Sequence, residues 1–341
     1  MPSHLPRAGR ATNLLVCPAM KDVTVWVLTE PDDPALHVLQ ETGPGVRYVF
    51  GATPAEFAAA PPPDALFVCS MGRAAVEPVL ALAPDVGWVH CRSAGLDSLM
   101  FPALVKAKAV LTNGKGVFSL SLAEFVIGSL LYFTRDFPRL IRNQLRGVWE
   151  VFEPLDLAGR TLGIVGYGDI GRVTAQRAHH MGMKVVALRR RPELSSADPW
   201  VSETLPVSEL VALMRRADDV VIATPLTDDT RGLVGKSAID AMKSGAVLVN
   251  VGRGPCVDEA ALLQALRERR IRGAALDVFE TEPLPAGHPF YALDNVLLSP
   301  HCADNTPGWL EAAMRAFVAN LERFRSGERL ESVVVDKASG Y

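Results

Sequence analysis

Gly163-Ile164-Val165-Gly166-Tyr167-Gly168-Asp169-Ile170-Gly171 leads out of a β-type segment into a helical one and spells G-x-G-x-x-G at the junction. Each glycine has a physical task there: Gly166 permits a tight turn, Gly168 lets the backbone approach a pyrophosphate, and Gly171 lets the helix lie close on the strand. The free N–H groups where the helix begins, at Asp169 and Ile170, favour an anion. Three glycines alone carry little weight. Their register carries more, because a strand at Thr161–Val165, a helical pattern and a second strand at Lys184–Leu188 follow in the order of a dinucleotide-binding βαβ unit.

Downstream, Val220–Thr224, Ala246–Val251, Gly273–Val278 and Val296–Leu298 read as further strands, with helical patterns such as Ser208–Arg216 and Asp258–Arg270 between them. Six strands with interleaved helices predict a doubly wound parallel sheet. Upstream, residues 22–29, Val46–Phe50, Ala65–Cys69, Gly87–Cys91 and Ala109–Thr112 alternate with helical or proline-rich pieces and predict a second α/β unit. From Ser119 to about Arg146 the pattern predicts one long amphipathic helix, with Leu122, Phe125, Val126, Ser129, Leu130 and Phe133 on one stripe, suited to a domain connector or a subunit interface. A last helix over about Pro307–Arg325 is too little for a domain of its own and is expected to pack back on the first unit. The fold class is therefore α/β with two Rossmann-like domains built on doubly wound parallel sheets. A flavodoxin-like, discontinuous substrate domain takes residues 1–118 and 306–341, and a dinucleotide-binding domain takes 119–305.

A chain of 341 residues is long enough for two cores, and 49% apolar with 21% charged residues is the composition of a soluble globular protein. A net charge of −3 gives no reason to expect nucleic acid or an anionic membrane as a partner. Cys17, Cys69, Cys91, Cys256 and Cys302 are scattered without metal-ligand spacing, which fits free thiols in a reducing compartment, the cytoplasm, and no metal. The longest apolar stretch, Phe118–Phe133, is interrupted by Glu124 and falls short of a membrane span. Residues 1–19 hold His4, Arg7 and Arg10 and no acid, a bias shared with organelle-import leaders, but they are few and serine-poor and read as a short leader.

Three ionisable residues each sit just beyond a strand-like stretch: Arg253 after 246–251, Glu282 after 274–279 and His301 after 295–300. Ligands of open parallel sheets bind outside the carboxyl ends of the strands. A cation, a carboxylate and an imidazole gathered there can hold an anion and move a proton. With the dinucleotide turn upstream, the combination points to redox chemistry on a small carbonyl acid. The second strand ends in Leu188-Arg189-Arg190-Arg191, where an NAD-preferring site would carry an acid for the ribose 2′-hydroxyl. Arginines at this point suit a 2′-phosphate, so NADP is expected over NAD.

At these residues the chain resembles the D-isomer-specific 2-hydroxyacid dehydrogenases, from about residue 22 onward. The resemblance rests on Gly166-x-Gly168-x-x-Gly171, on Thr224-Pro225-Leu226-Thr227 with Thr230-Arg231, on Leu248–Gly254, on Leu276-Asp277-Val278-Phe279-Glu280-Thr281-Glu282-Pro283, and on Ser299-Pro300-His301. It implies a hydride from the nicotinamide to the carbonyl carbon of a 2-oxo acid and a proton from His301 to the oxygen, giving the D-2-hydroxy acid. Glu282 would orient the ring and favour its charged form, and Arg253 would hold the substrate carboxylate and polarise the carbonyl. Glu282 is chosen over Glu280 because the family's pairing acid directly precedes proline. Asp277 would meet the carboxamide end of the nicotinamide. Cofactor contacts are expected at Gly166, Gly168, Asp169, Ile170, Arg189, Arg190, Thr224, Pro225, Val251, Gly252, Asp277 and His301.

Arg92-Ser93-Ala94-Gly95-Leu96-Asp97 resembles the family's substrate-side loop, where N–H groups near Ala94 and Gly95 meet the carboxylate, and Ser70 takes a similar strand-end position. Asn113–Phe118 resembles the hinge. Phosphoglycerate dehydrogenases of the family carry arginine around the Ser70 loop; here Cys69 and Met71 flank it and Arg73 is the nearest cation, which suits an unphosphorylated acid such as glyoxylate or hydroxypyruvate. Trp149 and Trp309 read as core or dimer-contact residues, and a homodimer is expected. Cys302 reads as a small buried residue rather than a nucleophile. Within the family, a formate-dehydrogenase-like member is disfavoured by Glu282, and a serine-pathway enzyme with an effector domain by the chain ending about 40 residues after His301. The rival class is a dinucleotide sensor or corepressor-like protein.

Overall fold

Twelve strands, all paired in parallel, form two sheets in the computed structural model, which describes residues 20–69, 71–195, 197–330 and 334–337. The strands are β1 (Val23–Leu28), β2 (Val46–Gly51), β3 (Ala65–Val68), β4 (Trp88–Cys91), β5 (Val110–Asn113), β6 (Thr161–Val165), β7 (Lys184–Leu188), β8 (Glu203–Leu205), β9 (Asp219–Ile222), β10 (Val247–Asn250), β11 (Gly273–Leu276) and β12 (Val296–Leu298). The first sheet runs β2-β1-β3-β4-β5, which is the flavodoxin-type order, and the second runs β12-β11-β10-β9-β6-β7-β8. Numbered within its own unit, the second sheet is the Rossmann order 3-2-1-4-5-6 with one more strand beside the sixth.

Parallel strands need crossover connections, and the helices that supply them cover both faces. In the first sheet Val23, Val25 and Val27 face the helix Trp309–Ser326 through Met314, Phe317 and Leu321, while Trp26 and Leu28 face Phe57, Val76 and Val79 on the other side. In the second sheet Ile164, Val221 and Val249 pack against Leu122, Val126 and Leu130 of the helix Ser119–Thr134, and Val220, Ile222 and Leu248 against Leu213, Ile239 and Leu262. The final helix thus returns to the first sheet, Phe317 stacking on Phe67 at 3.9 Å and on Trp88 at 5.2 Å. Val334–Lys337 also lies there, bridging Thr112 and reaching the Ala107 and Ala109 carbonyls through Lys337 Nζ.

The second sheet has seven strands where the sequence reading gave six. The extra one, β8, is Glu203-Thr204-Leu205 at the sheet edge, with one apolar side chain and so none of the apolar run that marks the equally short β12. The long helix expected over 119–146 is two helices, Ser119–Thr134 and Phe137–Arg146. Pro138 has no N–H to continue the ladder, and Asp136, in the left-handed region at φ 51°, accepts from the Arg139 N–H to cap a new start. Among the described residues no helix is long and apolar enough to cross a membrane, and no group of three or more His, Cys, Asp or Glu side chains is placed to hold a metal ion. Residues 1–19, with the leader and Cys17, and residue 70 lie outside the described residues.

Candidate active site

Chain direction and sheet order bring the ends of β6, β9, β10, β11 and β12 to one edge of the second sheet, opposite the end of β4 in the first. The turn after β6 needs its glycines. Gly166 sits at φ 99°, and a Cβ there would lie 2.8 Å from the Ala223 carbonyl and from Thr224 Cγ2. A Cβ on Gly171 would lie 2.4 Å from the Gly166 oxygen, so helix Asp169–His180 rests directly on the turn. Gly168, by contrast, has nothing within 4 Å of its missing Cβ. The backbone is bare at the point where the helix N–H groups open. Asp169 turns its carboxylate to the Ser119 hydroxyl, which leaves backbone N–H groups, at Asp169 and Ile170, as the groups facing an anion.

Thr224 and Gly252 continue the floor of this groove. A Cβ on Gly252 would lie 2.6 Å from the Thr224 carbonyl, and the buried Thr224 hydroxyl has no protein partner. A close-packed glycine floor with an orphaned hydroxyl fits a bound dinucleotide. Pro225 is held by its carbonyl, which accepts from Thr230 Oγ1 at 2.6 Å, and Val251 by its N–H, which donates to the Ile222 carbonyl at 3.1 Å. At the end of β7, Arg189 donates from its backbone to the Leu205 carbonyl and from Nη1 to Ser195 Oγ, with Arg190 exposed beside it. Tyr167, inside the glycine turn, is buried; burial first and the Asp198 carboxylate second push its phenol up, so it stays neutral.

The ionisable groups beyond β10, β11 and β12 are tied together by short contacts. His301 Nδ1 lies 2.7 Å from Glu282 Oε2, and since a carboxylate only accepts, Nδ1 carries the proton and Nε2 is the nitrogen left for chemistry. Glu282 Oε1 is fixed in turn by the Phe279 N–H at 2.9 Å. The side chains of His301 and Glu282 are 44% and 34% exposed, open enough for a reactant to reach them. His301 adopts φ 52°, a left-handed conformation that a non-glycine residue holds only where its surroundings impose it. The imposing group is Asp277, buried, whose Oδ1 accepts from Ser299 Oγ at 2.5 Å and from the N–H groups of Cys302 and Ala303 at 3.0 and 3.1 Å. Glu280 points elsewhere, 4.0 Å from Arg231.

Arg253 is joined to this group by Gly254. A Cβ on Gly254 would fall 1.9 Å from the Phe279 carbonyl carbon, so the segment carrying Arg253 packs backbone to backbone on the segment carrying Glu282. Arg253 also crosses to the first unit: Nε donates to Asp97 Oδ1 at 2.9 Å, and Nη2 lies 1.5 Å from where a Gly95 Cβ would be. Ala94, in the same loop, accepts from Asn113 Nδ2 at 2.6 Å. Ser70 lies outside the described residues. Arg73 is engaged with Glu77 at 2.8 Å and sits over the Phe101 ring.

Two residues of this cluster escape sequence reasoning. Asp97 meets Arg253 from the other sheet, and its only signal was membership of the Arg92–Asp97 stretch. Asp304, three residues past His301, is half-buried; burial raises its carboxyl, Asp277 adds to the rise, and His301 and Arg253 oppose it. Cys302 is a correction. Expected to be buried, it is exposed, because β12 ends at Leu298 and residues 299–304 run as a loop to which strand alternation does not apply. Trp149, read as core or dimer contact, is 95% exposed and so is no core residue of this chain, whereas Trp309 packs on Phe118 at 5.9 Å.

Residues 127–303 match the family model described as D-isomer specific 2-hydroxyacid dehydrogenase, NAD binding domain. A glyoxylate reductase of Thermofilum pendens is 36% identical over 245 residues, covering 70% of each chain. A D-3-phosphoglycerate dehydrogenase of Methanocaldococcus jannaschii is 31% identical over 318 residues, which is 90% of this chain and 59% of that longer one. Among solved structures, an NADPH-dependent glyoxylate/hydroxypyruvate reductase of Sinorhizobium meliloti, in complex with NADP and sulfate, superposes with a TM-score of 0.80 at 27% identity, covering 93% of this chain and 99% of that one.

Proposed function

The chain belongs to the D-isomer-specific 2-hydroxyacid dehydrogenase family, and from that premise we propose that it reduces a small, unphosphorylated 2-oxo acid of the glyoxylate/hydroxypyruvate kind to the D-2-hydroxy acid, with NADPH preferred over NADH. The observation that carries this reading is the convergence of Arg253, Glu282 and His301, with His301 Nδ1 held 2.7 Å from the carboxylate. The bound nicotinamide supplies the hydride. Everything else falls to side chains and backbone N–H groups of this chain. Arg253 and the N–H groups of the Ala94–Gly95 loop bind the substrate carboxylate and set its carbonyl. His301 gives a proton from Nε2 to the carbonyl oxygen as negative charge develops there, and Glu282 fixes the tautomer and balances the imidazolium. Asp277 holds the His301 loop, which supports a positioning role for it alongside any contact with the nicotinamide.

Support for an unphosphorylated acid comes from Arg73, whose guanidinium is engaged with Glu77 and the Phe101 ring. Support for NADPH comes from Arg189 and Arg190 at the end of β7 and from the NADP bound by the Sinorhizobium enzyme. The substrate domain would comprise residues 1–118 and 306–341 and the cofactor domain 119–305. A homodimer suits the helix Phe137–Arg146, which buries none of its residues and exposes Leu140, Ile141 and Leu145 beside Val148 and Trp149. Loss of NADPH absorbance with glyoxylate, hydroxypyruvate and pyruvate, repeated with NADH, tests the function. Turnover of the first two with NADPH is the expected result. No turnover of any 2-oxo acid alongside tight cofactor binding would move the chain to the sensor class.

A further inference from the structure

Arg253 is held at three points before any substrate arrives. Nε donates to Asp97 Oδ1 at 2.9 Å, Nη1 donates to the Gly252 carbonyl at 2.8 Å, and Nη2 lies against Gly95, 1.5 Å from the place of a missing Cβ. Of these, Asp97 supplies the hydrogen bond from the first unit, through the same loop whose N–H groups the proposed reaction uses to bind the carboxylate. A guanidinium has five N–H donors in one plane, so a bond at Nε and one at Nη1 set that plane and leave three donors for an anion.

We infer that Asp97 is a positioning residue for the reaction: it aims Arg253 across the cleft so that the guanidinium and the Ala94–Gly95 amides meet one substrate carboxylate. The inference rests on the function proposed above. Side-chain exposures of 26% for Arg253 and 34% for Asp97 make the pair too open to contribute much to stability, so its effect belongs in geometry. One guanidinium carries a single charge, and Asp97 already offsets it. The substrate carboxylate therefore meets a nearly neutral pair whose orientation matters more than its net field. The same contact has a size consequence: with Nη2 against Gly95, no side chain larger than hydrogen fits between the loop and Arg253.

Steady-state kinetics of Asp97→Ala, Asp97→Asn, Arg253→Ala and the Asp97→Ala/Arg253→Ala double variant decide it. Asp97→Ala is expected to lower kcat/KM for the 2-oxo acid about ten- to a hundredfold, the range of a hydrogen bond to a charged group, with the KM for NADPH and the melting temperature unchanged. Asp97→Asn keeps an acceptor for Nε and is expected to recover most of that loss. In the Arg253→Ala background, Asp97→Ala is expected to add nothing, since it acts through Arg253. Wild-type rates in Asp97→Ala, additive losses in the double variant, or equal losses in Ala and Asn would overturn the inference. If the wild type reduces no 2-oxo acid, the proposed function fails instead. Calorimetric titration of the NADP-loaded protein with oxamate then reads the same geometry, weaker in Asp97→Ala and restored in Asp97→Asn, with unaltered affinity in both counting against the aim.

Discussion

Opposite ends of the seven-stranded sheet each carry a carboxylate paired with a nitrogen cation or base, and the two pairs differ in every respect but that. At the amino end Asp219, which opens β9, takes two bonds from Arg160 at 2.8 and 2.9 Å and a third from the Val247 N–H at 3.2 Å. Its side chain is fully buried, and Arg160 is satisfied further by the Asp218 carbonyl. At the carboxyl end Glu282 and His301 share one contact and stay open to solvent. Parallel strands feed loops at their carboxyl ends that vary freely, while their amino ends are closed by short returns from helices. A saturated, buried pair can only hold the fold together. A pair with one nitrogen left over can do chemistry.

The comparison breaks first at His301. His301→Ala is expected to lower kcat by about two to four orders of magnitude with no change in thermal stability, and stopped-flow or steady-state rates beside a melting curve check both halves. Asp219→Ala is expected to do the reverse. Removing Asp219 leaves a partly buried guanidinium and the Val247 N–H without their acceptor, at about 2–4 kcal/mol of stability in denaturant titrations, while folded protein keeps its kcat. Arg189→Ala is smaller and confined to cofactor choice. It should weaken NADPH about tenfold or more and leave NADH nearly untouched, read as the ratio of the two KM values.

A pH-dependent effect carries the same contrast into the other sheet. His90 is fully buried, and burial holds its imidazole down to about 3, while Thr112 Oγ1 sits 2.8 Å from both its Nδ1 and Trp88 Nε1. The indole can only donate, so the hydroxyl proton goes to a neutral ring. The unfolded chain takes up a proton near 6.5 that the folded chain refuses until about 3. The stability that the neutral His90 ring contributes is therefore complete above pH 6.5 and falls as pH drops toward 3, at up to about 1.4 kcal/mol per pH unit. Denaturant midpoints between these limits should lose this part of their slope in His90→Gln.

Much of the architecture was legible because its signals are local. Three strands, Thr161–Val165, Lys184–Leu188 and Val296–Leu298, have the bounds read from sequence, since each is a largely apolar run closed by Gly166, Arg189 or Ser299-Pro300. What sequence concealed was either too short or too distant. β8 has one apolar residue in three, unlike the all-apolar β12, and the break at Asp136 depends on a left-handed cap two residues before a proline that a helix can also accept in its first turn. In the site, the adjacency of Glu282 and His301 was readable because each follows a strand of one sheet. Asp97 was not, because its partner lies 156 positions away and arrives from another sheet. Cys302 was misplaced by extending strand rules four residues past the last strand residue.

The chain passes between the two sheets twice, once through Asn113–Ser119 and once through residues 304–309, and the two passages touch. Phe118 and Trp309 bring their ring centres to 5.9 Å, and the hydroxyls of Ser121 and Thr306 lie 3.4 Å apart. A single tether would let the lobes twist, slide and swing. Two tethers side by side behave like a pair of pins on one door post, with twisting and sliding blocked and a single swing left. Any swing of one lobe against the other would therefore have its axis at these two crossings.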